Sequence, residues 1–411
     1  MKKTLCLIAL ALSSTFAAAQ AQYKVLYNFG SVPNDGGLPY GLISDSLGNL
    51  YGVTAFGGTG QYGTVFELSP QPDGTWTETV LYNFCSLSDC LDGSEPEASL
   101  TFDSNGNLYG MTILGGTNCL VSSNRCGTAF ELSPPQVVGG AWTESVLYNF
   151  CSNYQDGACL DGNQPMSQLA IDSAGNLFGT TYTGGTGGFG NGGVAFELSP
   201  SANGWTQTVL HDFCSEGNIS CRDGYKPVGG VTFNGGSLYG VTLAGGRYGA
   251  GVVYSLTPNL GGWTFNAIAY LGGNEGSDGG STAPVTFDSA GNLYGTTVNN
   301  AFQLNAKLHG MRSRQFTDET GFRSPGGVLV DPGRNAFFGT AIDGGANEAG
   351  TIWEVNPARK LIPIYSFCSQ PNCTDGYQIE SGLTKDPSGN IYGTAGLGGA
   401  YGIGVVFQIT P

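Results

Sequence analysis

Positive charge is scarce in this sequence: 15 lysines and arginines stand against 31 aspartates and glutamates in 411 residues, a formal net charge of −16. Nucleic acids and anionic membrane surfaces are recognised chiefly through Lys and Arg, so both are excluded as principal partners. Histidine is almost absent, with only His211 and His309. His211 sits in "VLHDFC" where a parallel segment has Tyr82 in "VLYNFC", which reads as packing, and His309 lies in a divergent stretch, so nothing favours a Ser-His-Asp arrangement. Also missing is any sustained apolar stripe at helical spacing, and beyond the first dozen residues no apolar run approaches the ~20 residues of a membrane helix. Charged residues make up 11% but hydrophobic ones 40%, too apolar a balance for a disordered chain.

The start, "MKKTLCLIALALSSTFAAAQAQ", places Lys2 and Lys3 before a short apolar run and then small residues. That is the layout of a secretory signal peptide spanning residues 1–21, with cleavage after Ala19 or Ala21. The mature chain, residues 22–411, is expected to be a single secreted, extracellular or periplasmic domain acting as a monomer. It would keep 13 basic and 31 acidic residues, a charge of about −18.

Loss of Cys6 with the leader turns eleven cysteines into ten, an even set in an oxidising compartment. They fall into close neighbours: Cys85 with Cys90, Cys119 with Cys126, Cys151 with Cys159, Cys214 with Cys221, and Cys368 with Cys373. A zinc site would draw four ligands together. These pairs are scattered along the chain, so five local disulfides are expected instead.

Glycine is the abundant residue, 69 in all, and much of it belongs to a phrase first written "DSLGNLYGVT" at residues 45–54. Its aromatic-glycine step recurs at Tyr51-Gly52, Tyr109-Gly110, Phe178-Gly179, Tyr239-Gly240, Tyr294-Gly295, Phe338-Gly339 and Tyr392-Gly393. Each unit carries four strand-like pieces bounded by turn residues, as in "ASLTFD", "NLYGMT", "GTAFELSP" and "AWTESVLYNF". Four short antiparallel strands repeated seven times predict an all-β, seven-bladed β-propeller. The Asp and Gly of the phrase form the turn between first and second strands, and Leu50 and Tyr51 point to opposite faces, into the gaps on either side of the blade. The opening "YKVLYNF", residues 23–29, matches a fourth strand and the closing "GVVFQITP" a third, so the N-terminal strand is expected to pair with the last blade and close the ring.

The unit "D-S-x-G-N-L-Y-G-T-T…G-G…G-T-x-F-E-L-S-P" resembles the secreted bacterial proteins called choice-of-anchor tandem repeat GloVer-containing proteins, over essentially the whole mature chain. The resemblance implies an extracellular repeat protein without an assigned biochemical role. Members often end in an anchoring signal, whereas this sequence stops at Pro411 directly after a strand.

Chemistry has few footholds. The run "GTGGFG", with Gly185, Gly187 and Gly190, leads into a strand and not a helix, which rejects a dinucleotide site. Glu67, Glu131, Glu197 and Glu354 belong to the repeat, leaving Glu95, Glu97 and Glu380 among the unrepeated carboxylates that a glycosidase pair would need. Asp-Gly recurs with Asp35, Asp92, Asp161, Asp223, Asp278 and Asp375; it is a favoured turn dipeptide, and alternatively a crown of carboxylates for Ca²⁺. No other cofactor is implied.

In an up-and-down blade the second-to-third and fourth-to-next-first connections share one end. The long loops, the cysteine pairs and the Asp-Gly turns are therefore expected on one face, joined by Tyr62, Tyr182, Phe189, Tyr248 and Tyr401 from the glycine-rich loops. Flat aromatic surfaces near carboxylates suit a glycan or another extracellular ligand. The expected function is a binding or interaction propeller, with a polysaccharide-active enzyme as the alternative. After Tyr294-Gly295 the chain runs through "TTVNNAFQLNAKL" and omits the Gly-Gly loop of other units, and the region from 307 to 334 then collects Lys307, Arg312, Arg314, Arg323 and Arg334, which marks the fifth unit as the weakest.

Overall fold

The computed structural model describes residues 21–117, 126–137, 139–187, 191–202, 204–215, 221–273 and 280–411. Seven four-stranded antiparallel sheets follow one another around a ring. Blade 1 consists of Gly36–Ser44, Leu50–Gly57, Thr64–Pro70 and Trp76–Asn83, numbered from the channel outward. Blades 2 to 6 repeat the order, beginning at Thr101–Phe102, Ala170–Ile171, Val231–Asn234, Thr286–Phe287 and Leu329–Asp331. Blade 7 takes three strands from the end of the chain, Thr384–Lys385, Ile391–Ala395 and Val405–Thr410. Its outer strand is Gln22–Asn28, which runs antiparallel to Val405–Thr410 with Tyr23 opposite Ile409. The expected closure by residues 23–29 is therefore present, and it joins the two ends of a chain whose first and last blades would otherwise expose bare strand edges.

The repeated phrase acts as the sequence suggests. Asp45 Oδ1 accepts from the backbone N–H groups of Leu47 and Asn49 at 2.8 and 2.9 Å, and Gly48 takes φ 87°. The same carboxylate cap returns at Asp103, Asp172, Asp288 and Asp386. Leu50 then packs with Tyr392 and Val406 of blade 7, while its neighbour Tyr51 packs with Leu108 and Phe130 of blade 2. The core accordingly consists of seven apolar wedges, each between two adjacent blades.

One ring of aromatics explains the glycine of each aromatic-glycine step. Phe66, Phe130, Phe196, Tyr254, Phe302, Trp353 and Phe407 occupy one third-strand position and are fully buried or nearly so. A Cβ on Gly52 would stand 2.6 Å from the Phe66 ring, and one on Gly339 2.2 Å from Trp353. The glycine is the space in which the ring lies. Edge-to-face contacts continue the ring across blade boundaries, as with Phe84 against Phe130 at 5.0 Å and Phe29 against Phe66 at 5.1 Å. The girdle is interrupted between blades 4 and 5, where Leu271 stands in the place of the bridging phenylalanine.

Blade 5 is the shortened one, with strands Thr286–Phe287, Leu293–Thr296, Asn300–Leu304 and Arg312–Gln315. Its second and third strands are joined by only three residues, 297–299, where blade 1 uses six.

Candidate functional site

The Asp-Gly carboxylates lie on the long-loop face, but they are turned inward. Asp92 is fully buried, and its Oδ2 accepts from Tyr82 Oη, Ser86 N and Ser86 Oγ, each at 2.8 Å. Asp161 holds Tyr148 and Ser152 in the same way, Asp375 holds Tyr365 and Ser369, and Asp35 holds Tyr27 with two backbone N–H groups. In the loop of Asp223 the tyrosine is replaced by His211, whose Nε2 lies 3.1 Å from the carboxylate and whose ring stacks on Phe265. Each of these aspartates thus organises the turn that joins its blade to the one before it. Disulfides Cys85–Cys90, Cys151–Cys159, Cys214–Cys221 and Cys368–Cys373 staple the same loops. Cys119, Asp278 and Phe189 lie outside the described residues. Among the described residues no group of three or more His, Cys, Asp or Glu converges on a point where a metal could bind.

Three residues past each of these five aspartates, and past Thr320 at the same place in blade 6, the structure contains a feature that the sequence reading missed. Leu38, Glu95, Gln164, Lys226, Arg323 and Gln378 all adopt φ between 54° and 57°, a left-handed conformation uncommon outside glycine. The backbone explains the repetition. The N–H of Glu95 donates to the Tyr62 carbonyl of the preceding blade at 3.0 Å, and its own carbonyl accepts from Ile113 at 3.2 Å. Leu38, Gln164, Lys226 and Arg323 donate to the preceding blade likewise, at 2.7 to 3.0 Å. The left-handed turn therefore ties neighbouring blades through backbone atoms and leaves the side chain unconstrained in type. Leucine, glutamate, glutamine, lysine and arginine occupy it in different blades.

Two residues further along the chain come Tyr40, Glu97, Met166, Val228 and Glu380, which line the central channel, a cavity of about 510 Å³ enclosed by the innermost strands of all seven blades. Its acidic side is built from blades 1, 2 and 7. Tyr40 Oη donates to Glu380 Oε2 at 2.5 Å, and Gln378 Nε2 donates to Glu380 Oε1 at 2.7 Å. Burial, reinforced by the charges of Glu380 and Glu95, pushes the Glu97 carboxyl up to about 7. Burial and the same carboxylates hold the Tyr40 phenol well above its ordinary value. The unrepeated carboxylates Glu95, Glu97 and Glu380 are thus brought together at one sector of the channel. Arg323, paired with Asp343, lines the channel from blade 6.

Three of the loop aromatics are exposed, and none of the four described ones lines the channel. Tyr62, Tyr248 and Tyr401 are 44%, 51% and 58% exposed. Tyr182 is half-buried, with the Lys226 ammonium 4.6 Å above its ring and hydrogen-bonded to its hydroxyl at 3.0 Å. Among the described residues no helix is long and apolar enough to cross a membrane.

No curated protein matches the sequence. Among solved structures, the extracellular domain of a protein assigned as a one-component system from B. thetaiotaomicron superposes with a TM-score of 0.53 at 9% identity over 94% of this chain. The AfRom2 CNH domain gives 0.53 at 9% identity over 95% of this chain and 99% of its own. A puromycin hydrolase gives 0.51 at 13% identity over 87% of this chain. This chain spans 39% of the first and 50% of the hydrolase, and at these identities the likeness is one of fold. The family described as Gloeobacter/Verrucomicrobia repeat matches residues 13–232 and 121–308, more than half of the sequence, and the chain belongs to it.

Proposed function

We propose that this protein is a secreted binding propeller whose ligand, a glycan or similar extracellular molecule, sits on the long-loop face over the mouth of the channel. The observation that carries the reading is the left-handed ring: one backbone geometry in six blades, with chemically different side chains presented from it. Because the backbone bonds that fix the turn do not select its side chain, these positions are free to match a ligand with distinct groups around its outline. The stapled loops support the reading because a pre-organised face loses less entropy on binding. The exposed Tyr62, Tyr248 and Tyr401 of the glycine-rich loops supply stacking surfaces. The leader-like start and the disulfides fit an exported protein.

A second reading, hydrolysis or elimination on a polysaccharide, has one observation in its favour. Glu97, with a carboxyl near 7, stands beside Glu380 and Tyr40 in the channel wall, a pairing suited to general acid and base roles. Incubating the purified mature protein with a panel of polysaccharides, and scoring retention and product formation separately, tests both. Retention without products, lost when Tyr62, Tyr248 and Tyr401 are replaced together by Ala in a folded protein, is the expected result. Products that vanish in Glu97→Gln would establish the enzyme instead, and undiminished retention in the triple variant would remove this face as the binding site.

A further inference from the structure

The rim between blades 5 and 6 holds a second cavity, of about 210 Å³, which opens away from the long-loop face among the turns that carry Asp288, Pro332 and Pro357. Its walls bring together Arg312 and Arg314 from the fourth strand of blade 5 and Arg359 from the outer turn of blade 6. Three guanidinium groups in one groove are conspicuous in a chain with only 15 basic residues and a charge of −16.

Strand register shows how the repeat was altered to make the groove. In blades 1, 2 and 3 the third-strand glutamates Glu67, Glu131 and Glu197 stand opposite Thr79, Ser145 and Thr208. In blade 5 the corresponding pair is Gln303 opposite Arg312, so a negative charge is lost and a positive one gained on the same spot. Arg314, opposite Ala301, takes the place that Tyr82, opposite Val65, holds in blade 1. Its Nε donates to the Arg359 carbonyl at 3.0 Å, which draws the two blades' arginines together.

The acidic residues in the groove are already engaged. Asp331 pairs with Lys385 at 2.9 Å, and Asp288 accepts from Asn292 and Tyr294. Among the described residues no carboxylate lies within ion-pair distance of Arg312, Arg314 or Arg359. Exposed Arg312 and Arg359 therefore present uncommitted forked donors, and Asn335 and Asn356 place amides beside them.

We infer that this groove binds an oxyanion carried on a monosaccharide-sized unit, the carboxylate of a uronic acid or the sulfate of a sulfated sugar. The guanidinium forks take the oxyanion, since planar bidentate pairing with such groups is what Arg offers and a lysine does not. The amides serve the sugar hydroxyls. The site lies on a different part of the molecule from the channel mouth and does not depend on the reading given for that face.

Calorimetric titration of the mature protein at fixed ionic strength with glucuronate, glucose 6-sulfate, glucose and inorganic phosphate tests the inference. The expected result is one site for both acidic sugars, weaker or absent binding of glucose and phosphate, and an affinity loss of about tenfold or more for Arg312→Ala or Arg359→Ala. Both side chains are exposed, so the urea midpoint should not move, and Ala substitution of Tyr62, Tyr248 and Tyr401 should leave this binding intact. Equal binding by wild type and by the Arg312→Glu/Arg359→Glu variant would overturn the site. Glucose bound as tightly as glucuronate would overturn the oxyanion, and phosphate bound as tightly as the acidic sugars would overturn the saccharide.

Discussion

The junction between blades 1 and 2 and the junction between blades 5 and 6 are built on the same backbone plan but held by different chemistry. At the first, the buried carboxylate of Asp92 gathers half-buried Tyr82 and exposed Ser86 and Leu87 into a network inside a loop closed by Cys85–Cys90. At the second, Thr320 replaces the aspartate and Arg314 the tyrosine; among the described residues the threonine bonds to Thr317 within its own turn and to Thr351 of blade 6. The repeat thus tolerates loss of the whole Tyr–Ser–Asp network where the aromatic girdle persists, as Phe316 against Trp353 does at 5.5 Å. Apolar wedges make the ring, and the polar networks fix the loops that stand on it.

The largest expected difference between the junctions comes from removing that carboxylate. Asp92→Ala empties a buried carboxylate site and removes the acceptor of a half-buried phenol, an exposed hydroxyl and two backbone N–H groups, and should lower unfolding free energy by about 2 kcal/mol; Thr320→Ala should cost about 1 kcal/mol or less. Denaturant melts of the two variants check this, and equal losses would erase the distinction. Of similar size is the effect of the staple. Replacing Cys85 and Cys90 by Ser should cost about 2 kcal/mol, because a short loop returns little chain entropy to the unfolded state, and the loop should open locally before the blades do.

The third difference is one of pH. On the outer strand of blade 2, Glu144 has a buried Oε1 without a partner, facing Tyr82 and Asp92 of the junction, and burial followed by the charge of Asp92 raises its carboxyl to about 7. Glu78 faces Tyr27 and Asp35 in the same manner between blades 7 and 1, and its carboxyl rises to about 8. In blade 3 the position belongs to Gln207, opposite Leu198 as Glu144 is opposite Leu132, and its amide donates to the Asp161 carbonyl at 3.1 Å. Protonated glutamates can donate as that amide does, and ionised ones cannot. Because the folded values are raised, their stabilisation is complete below about pH 4.5 and is lost as pH rises through 7 to 8. Glu78→Gln and Glu144→Gln should therefore flatten a stability decline between pH 5 and 8, each gaining on the order of 1 kcal/mol at pH 8. At the junction of blades 5 and 6 the equivalent residue is Leu361, opposite Val355, so Leu361→Gln should leave the pH profile as it is. The smallest effect is dynamic. Amides of Leu293–Thr296 and Asn300–Leu304 should exchange faster than those of Leu50–Gly57 and Thr64–Pro70, and uniform protection would contradict the ranking.

Much of this architecture was legible because the residues that build it recur as letters. The alternation of Leu50 and Tyr51 into opposite wedges, the Asp45 turn and the closing strand could all be read from spacing. The left-handed ring could not, because its letters change from blade to blade while φ stays constant. Four of its members, Leu38, Glu95, Gln164 and Lys226, precede proline, which ordinarily argues for an extended residue. The Asp-Gly carboxylates read as solvent-facing turn residues; their burial depends on Tyr82 and Ser86, whose own recurrence in "YNFCS" was the available signal. The basic residues of 307–334 were visible as a cluster, but folding separates Arg323, paired with Asp343 beside the channel, from Arg312 and Arg314, and brings in Arg359 from outside the stretch.

In the proposed function, one backbone ring carries different side chains toward a ligand on the long-loop face. Its most direct test is a variant with Glu95, Lys226, Arg323 and Gln378 all replaced by Ala, compared with wild type for stability and for retention on an immobilised glycan panel. The expected result is a small fall in the urea midpoint, since the backbone bonds between blades remain while the side-chain bonds of Gln378 to Glu380, Arg323 to Asp343 and Lys226 to Tyr182 are lost, together with loss of the wild-type retention pattern. A collapsed fold, or a folded variant that retains the same glycans equally well, would contradict it.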